Sequence, residues 1–340
     1  MLDGLRGVAA LLVVVFHHAG WNGPLPHAYL AVDFFFLLSG FVVASAYEPR
    51  LLADPDRRWF FRARLVRLYP LYLLGTAAGL IVATMTGVLA ELQANGFLLT
   101  TLTLSWLMLP TPGMTVMFPL DGPAWSLFLE LIANAAYAVL APRLGWRGLV
   151  AIVAIAGAGL VAGGAAVGNL SFGGESGLSL LGGLLRVAFS FTLGVIFYRL
   201  HALGRLPHLR APAWAPAAAL VVLAMLPGGG PLRGAIDVAT VLVAFPVIMI
   251  AGVEAEAGRL RGAFAQLALL SYPLYMLHVP IRCAVAAWVG RAALPTLPVL
   301  LTYVVLSVTA AWLAGRWYDP AARRLLGDWT GARAPRSRYA

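Results

Sequence analysis

Apolar stretches long enough to cross a bilayer recur from one end of this 340-residue sequence to the other. A helix needs about 20 apolar residues to span the hydrocarbon core, and there its backbone amides must be satisfied within the segment. The recurrence therefore predicts an all-α integral membrane protein. Charged residues make up 11% of the chain and hydrophobic ones 61%, whereas a soluble domain carries roughly a quarter charged residues. No soluble domain of useful size fits between the apolar segments.

The net charge is +10, and the chain has arginine but no lysine. In a soluble protein that balance would suggest nucleic acid. Here the arginines gather in a few short loops and the tail, as membrane orientation requires, so no nucleic-acid partner is expected. The single cysteine, Cys283, excludes an internal disulfide framework and a cysteine metal cluster. No metal-ligand spacing, phosphate-binding glycine loop or serine nucleophile elbow is visible, so no metal is expected.

Hydropathy places helices at about 5–21, 28–47, 69–88, 124–142, 148–167, 180–198, 213–226, 235–253, 265–287 and 297–315. The first lacks a signal-peptidase-like exit at Gly20-Trp21-Asn22 and reads as retained. Arg50, Arg57, Arg58, Arg62, Arg64 and Arg67 mark a cytoplasmic loop after the second helix, with the N-terminus also inside. The stretch at 96–109 poses a question of parity. As a full span it would put every later arginine cluster outside. It is short and followed by Pro110 and Pro112, so a re-entrant segment is the better reading. The expectation is about ten transmembrane helices plus that re-entrant segment, with N- and C-termini cytoplasmic. The transmembrane domain covers 1–320, and 321–340 is a short basic tail.

Within this apolar frame a few ionisable residues stand out, and in a bilayer each is a functional hypothesis. Arg6 and His17 are eleven positions apart on the first helix. That is close to three turns, so they share one face roughly 16 Å apart. Asp33, Glu130 and His17 fall on three helices at one depth in the outer third of the membrane. A histidine oriented by a carboxylate suits general-base catalysis. A polar cluster that merely locks three helices together is the plainer alternative. Arg64 and Arg67, at i and i+3, can face one way, and guanidinium groups match phosphates bidentately. Ser271, Tyr275, His278 and Arg282 make one polar stripe on the ninth helix, which Pro273 and Pro280 should bend.

Five stretches, in order, carry a family resemblance: LDGLRGVAALLVVVFHHAG, VDFFFLLSGF, RLVRLYPLY, PAWSLFLE and SYPLYMLHVPI. The chain resembles membrane-bound acyltransferase family 3 over nearly its whole length. Arg6 and His17 match the family's signature of Arg, ten residues, His, and Arg64 and Arg67 match its arginine pair. Ala63 stands where many members carry a further arginine, and Leu131 where many carry a second acidic residue. The resemblance implies an acyl-coenzyme A donor, usually acetyl-CoA, and a hydroxyl acceptor on a glycan, lipid-linked sugar or small natural product. It implies catalysis by His17 with Glu130 and Asp33, and donor binding by Arg6, Arg64 and Arg67. Acceptor contacts fall to Trp125, Ser126, Tyr275 and His278. The sequence lacks the hydrolase-like extracytoplasmic domain that some members append, so the membrane domain itself is expected to acylate, in the cell membrane. The alternative from another class is a transporter or flippase for an anionic glycan or lipid, since intramembrane Asp, Glu and His also mark transport paths.

Overall fold

The computed structural model describes residues 1–174, 176–290 and 296–330, and among them all regular structure is helical. Eight helices are long and apolar enough to cross a membrane. They include α1 (Leu2–Ala19), α2 (Ala31–Ala53), α3 (Arg58–Met85), α7 (Trp146–Val167) and α8 (Gly177–Ala202). α10 (Arg233–Ala239) passes through a π turn at Thr240–Ala244 into α11 (Phe245–Glu254), making the sixth. α12 (Arg261–Val289) is the seventh. α13 (Leu297–Leu313) continues through Ala314–Tyr318 into α14 (Asp319–Thr330) as the eighth. Two shorter apolar helices, α6 (Ala124–Leu140) and α9 (Ala215–Ala224), pack among them, and α4 (Val88–Ala94) and α5 (Leu98–Trp106) complete the chain.

The two largest differences from the sequence reading are at α3 and at the end of the chain. α3 begins at Arg58, so Arg62, Arg64 and Arg67 lie on its first turns and Pro70 is inside it. Arginine is a good helix former, and the run of charge that reads as a loop extends the helix instead. Near Pro70, the Leu68 carbonyl accepts a hydrogen bond from the Tyr272 hydroxyl at 2.5 Å, and the Pro70 carbonyl accepts one from Tyr318 at 3.0 Å. The second difference is α14, which continues as helix through residues the sequence reading assigned to the tail and packs on α3. Residues 331–340 of that tail lie outside the described residues.

Close contacts fix the relative directions of the helices. α1 runs alongside α12, with Arg6 bonded to Ser271 and His17 to His278. Gly7 allows this approach, because a Cβ there would collide with the carbonyl of Leu267. α2 and α8 also run in one direction: Asp33 meets Arg186 near one end, and Glu48 meets Arg199 near the other. Between those pairs, an added Cβ at Gly40 would strike the Phe191 carbonyl, and one at Gly194 the Leu37 carbonyl. α3 follows α12, and α6 runs against both, since its start reaches Tyr275 and its middle reaches Arg64.

α5 is nine residues long, about 14 Å at 1.5 Å per residue. Its last turn is tied to the middle of α3, where Tyr69 and Tyr72 donate to the carbonyls of Trp106 and Ser105. The chain then returns along α3, bringing Leu120 against Gly79 and Asp121 against Gly75, before α6 starts. The segment therefore dips partway along α3 and turns back.

Candidate active site

A cavity of about 690 Å³ opens among α1, α2, α3, α6, α12 and α14. Arginines line one part of it: Arg6 from α1, Arg64 and Arg67 from α3, and Arg323 and Arg324 from α14. Its α2 wall is mostly apolar, with Val32, Phe35, Phe36, Val42 and Val43. Ser126, Tyr275 and Ser271 add hydroxyls.

The arginines are not equivalent. Arg6 bridges Asp3 at 3.0 Å and donates to Ser271 at 3.0 Å. Arg64 is buried and paired with Glu130 at 2.8 Å, while its Nε is buried without a partner. Arg323 pairs with Asp319 at 2.5 Å, and its Nε too is buried and unpartnered. Arg67 has no hydrogen bond or ion pair among the described residues; Arg323, Arg6 and Arg64 stand close enough to repel it, and Asp319 close enough to attract it. A half-buried guanidinium among mostly like charges is costly unless a further anion neutralises it. The mouth thus fits a phosphate-bearing ligand on charge alone.

Glu130 accepts from Ser39 at 2.6 Å as well as from Arg64. Ser126, one turn earlier on α6, shares a 2.7 Å hydrogen bond with the Tyr275 hydroxyl. α6 therefore carries Glu130 about 6 Å along the axis from Ser126, toward the arginines and away from the histidines. The expected pairing of Glu130 with His17 does not form.

The partner of His17 is another histidine. His17 Nδ1 lies 3.2 Å from His278 Nε2 and 2.9 Å from the Val13 carbonyl. His278 Nδ1 lies 2.7 Å from the Tyr275 carbonyl and 3.1 Å from that of Leu274. Carbonyl oxygens only accept, so His278 carries its proton on Nδ1 and presents a lone pair at Nε2. His17 Nδ1 faces that lone pair and another carbonyl, so it too is protonated. The basic nitrogen of His17 is then Nε2, which has no partner among the described residues. Two backbone-anchored rings set the tautomer that a carboxylate was expected to set. His17 and His278 do not line the cavity. They stand one side chain beyond it, where the His278 ring packs on Tyr275 at 5.8 Å between centroids.

Asp33 sits elsewhere. It is 1% exposed and held in a fork by Arg186, with Nε at 3.0 Å from Oδ1 and Nη2 at 2.5 Å from Oδ2. Arg186 also donates to the Phe172 carbonyl at 2.6 Å and stands over the Trp125 ring. Trp125 thus belongs to this packed layer, covered by Gly173 and Gly174, and does not line the cavity. Nearby, His27 Nδ1 meets Asp237 at 2.7 Å, and Tyr29 and the Leu170 amide also donate to Asp237. Burial pulls the His27 imidazole down, but the Asp237 hydrogen bond and charge outweigh it and hold it above its ordinary value. Arg186, Asp237, His27 and Arg323 were not singled out in the sequence. For Arg186 the signal was there: an arginine inside LGGLLRVAFSFTLGVIF needs a counter-charge, and Asp33 needs one too.

Among known proteins, a family model described as an acyltransferase domain matches residues 1–316. "Protein 2 in picA locus" of Rhizobium radiobacter is 41% identical over 169 residues, which cover 46% of this chain and 88% of that protein. "Putative membrane-bound transacylase BcsY" of Komagataeibacter xylinus is 36% identical over 98 residues, 28% of this chain and 24% of that protein. No solved structure matches. A helical membrane architecture built around this cavity, and a match running through all but its last helix, place the chain in acyltransferase family 3, as an integral membrane acyltransferase.

Proposed function

We propose that the protein transfers an acyl group, acetyl in the simplest case, from acyl-CoA to a hydroxyl of a glycan, a lipid-linked sugar or a small natural product. One observation carries this reading. A single cavity joins a cluster of arginines to the Ser126–Tyr275 pair, one side chain from a histidine whose basic nitrogen is free. Arginine forks suit the phosphates of the donor, with Arg67 the cation in most need of one. The thioester then lies toward Ser126 and Tyr275. Arg6 and His17 are eleven residues apart on α1, roughly 16 Å, a span that one extended ligand can bridge.

In the reaction, the acceptor oxygen attacks the thioester carbonyl carbon while His17 Nε2 takes the hydroxyl proton. The C–S bond breaks, and the proton passes from His17 to the leaving thiolate, giving the ester and free CoA. His278 holds the His17 ring and disperses its charge while the ring is protonated. In this scheme Glu130 steadies Arg64 and Asp33 steadies Arg186. Neither reaches the reacting atoms.

The arginine-rich stretch at 50–67 and the mouth of the cavity face the cytoplasm, where acyl-CoA is found, and both termini lie on that side of the cell membrane. Ten helices cross, α6 and α9 among them, and α5 is re-entrant from the outer side.

The test is release of free thiol by purified protein given acetyl-CoA and a cell-envelope extract. His17→Ala should fold, still bind CoA and lose roughly 10²–10⁴-fold in rate. Wild-type turnover in that variant would remove His17 from the chemistry. Absence of thiol release by the wild type, with movement of an intact glycan or lipid instead, would favour a transporter.

A further inference from the structure

α14 lies beyond the residues matched by the acyltransferase family model, which end at 316. It nonetheless forms part of the cavity, through Arg323, Arg324, Gly327 and Asp328. An interfacial helix rich in arginine ordinarily turns its charge toward lipid headgroups and its apolar face toward the core. α14 does the reverse at this site. Arg323 is half-buried and lines the cavity, while Leu325 does not line it and is 73% exposed. Tyr318, just before it, anchors the helix to the Pro70 carbonyl of α3 at 3.0 Å.

Charge bookkeeping at the mouth singles out two side chains. Arg6 is paired with Asp3, Arg64 with Glu130, and Arg323 with Asp319. Arg67 on α3 and Arg324 on α14 have no ion-pair partner among the described residues, and both line the cavity, with Asp328 the one lining carboxylate that is likewise unbridged. Arg324 is the exposed one of the two and Arg67 the half-buried one. A donor entering with its thioester first leaves its nucleotide at the mouth, and the ribose phosphate of that nucleotide is its outermost anion.

From this arrangement we infer that α14 is the nucleotide-reading wall of the donor site, with Arg324 recognising the ribose 3′-phosphate of acyl-CoA and Arg67 the diphosphate further in. This rests on the acyl-CoA reading above and extends it to a helix outside the matched family domain. It makes α14 a specificity element: it distinguishes CoA from nucleotides that lack the third phosphate.

Calorimetric titration of the detergent-solubilised full chain with CoA and with 3′-dephospho-CoA tests it. The wild type should prefer CoA by roughly 10–100-fold, the worth of a charge-assisted hydrogen bond. Arg324→Gln should bind the two ligands equally, and Arg324→Lys should keep part of the preference. A misplaced helix would weaken both ligands alike, so only the ratio reports on recognition. If Arg324→Gln keeps the wild-type ratio, or if the wild type shows no preference, α14 does not read this phosphate. If the wild type binds neither ligand, the acyl-CoA reading itself fails. If Arg324→Gln changes only binding to vesicles containing phosphatidylglycerol, the side chain serves the membrane surface and the inference falls.

Discussion

A carboxylate held in an apolar setting without hydrogen bonds has a measurable consequence at Asp121. It is 3% exposed, and both of its oxygens are buried without partners. Burial pushes its carboxyl well above the usual carboxylate range. The folded protein therefore holds the proton at pH values where the unfolded chain has released it. This group's contribution to stability is complete below about pH 4, the ordinary aspartate value. It is lost progressively as pH rises toward the folded value. Asp121→Asn keeps the shape and removes the titration. The variant should melt a few degrees higher than the wild type at pH 8, with the gap closing toward pH 4. A gap that is constant with pH, in melting curves of the purified protein, would show that Asp121 stays ionised. The histidines teach the opposite lesson about partners. Sequence spacing put His17 on the face of Arg6, but its orienting group came from His278, 261 positions away. The polar stripe on α12 contained that residue, yet nothing in a stripe says which helix it will face.

Among the elements, the α2–α8 pair is the clearest case of small residues placing charged ones. Backbone contact at Gly40 and Gly194 brings the two helices together, and the Asp33–Arg186 pair closes over one end. A buried ion pair broken on one side leaves an uncompensated charge, at a cost of about 3–5 kcal/mol. Asp33→Leu alone should therefore destabilise the protein by about that amount. Asp33→Leu with Arg186→Met should recover most of it, because no charge is left behind, and should retain acyl transfer. Thermal melting and thiol release of the single and double variants check both statements. A double variant that melts like the wild type but is inactive would return Asp33 to the catalytic set. At the level of elements the sequence also under-read α3, where a dense arginine run looked like loop. The charge is carried on helix, where Arg64 and Arg67 line the cavity while Arg62 stays exposed.

The whole molecule is a bundle in which direction matters, because the arginine-lined part of the cavity lies toward the start of α3 and the Ser126–Tyr275 pair further along the bundle. α5 dips and returns, so α6 starts near Tyr275 and runs toward the arginines. If α3 crosses outward, α6 crosses inward, and the loops near Gly145 and Ala202 are cytoplasmic. In a variant with Cys283→Ser, new cysteines at Gly145 and Ala202 should be shielded from an impermeant thiol reagent in intact cells. A cysteine at Leu232, which is exposed between α9 and α10, should react. Labelling of Ala202→Cys in intact cells would overturn the proposed orientation. The sequence by itself determined that the chain is a helical membrane protein, because apolar length and arginine clustering answer to a local requirement of the bilayer. It also singled out Arg6, His17 and Glu130, since each stands out against an apolar background, and Arg64 and Arg67 by their i, i+3 spacing. Which of these meet was decided only by the tertiary structure. Helix periodicity gives each side chain a face and a depth, but helix–helix approach and rotation come from packing at residues such as Gly7 and Gly40. That packing sent Glu130 to Arg64, Asp33 to Arg186 and His17 to His278.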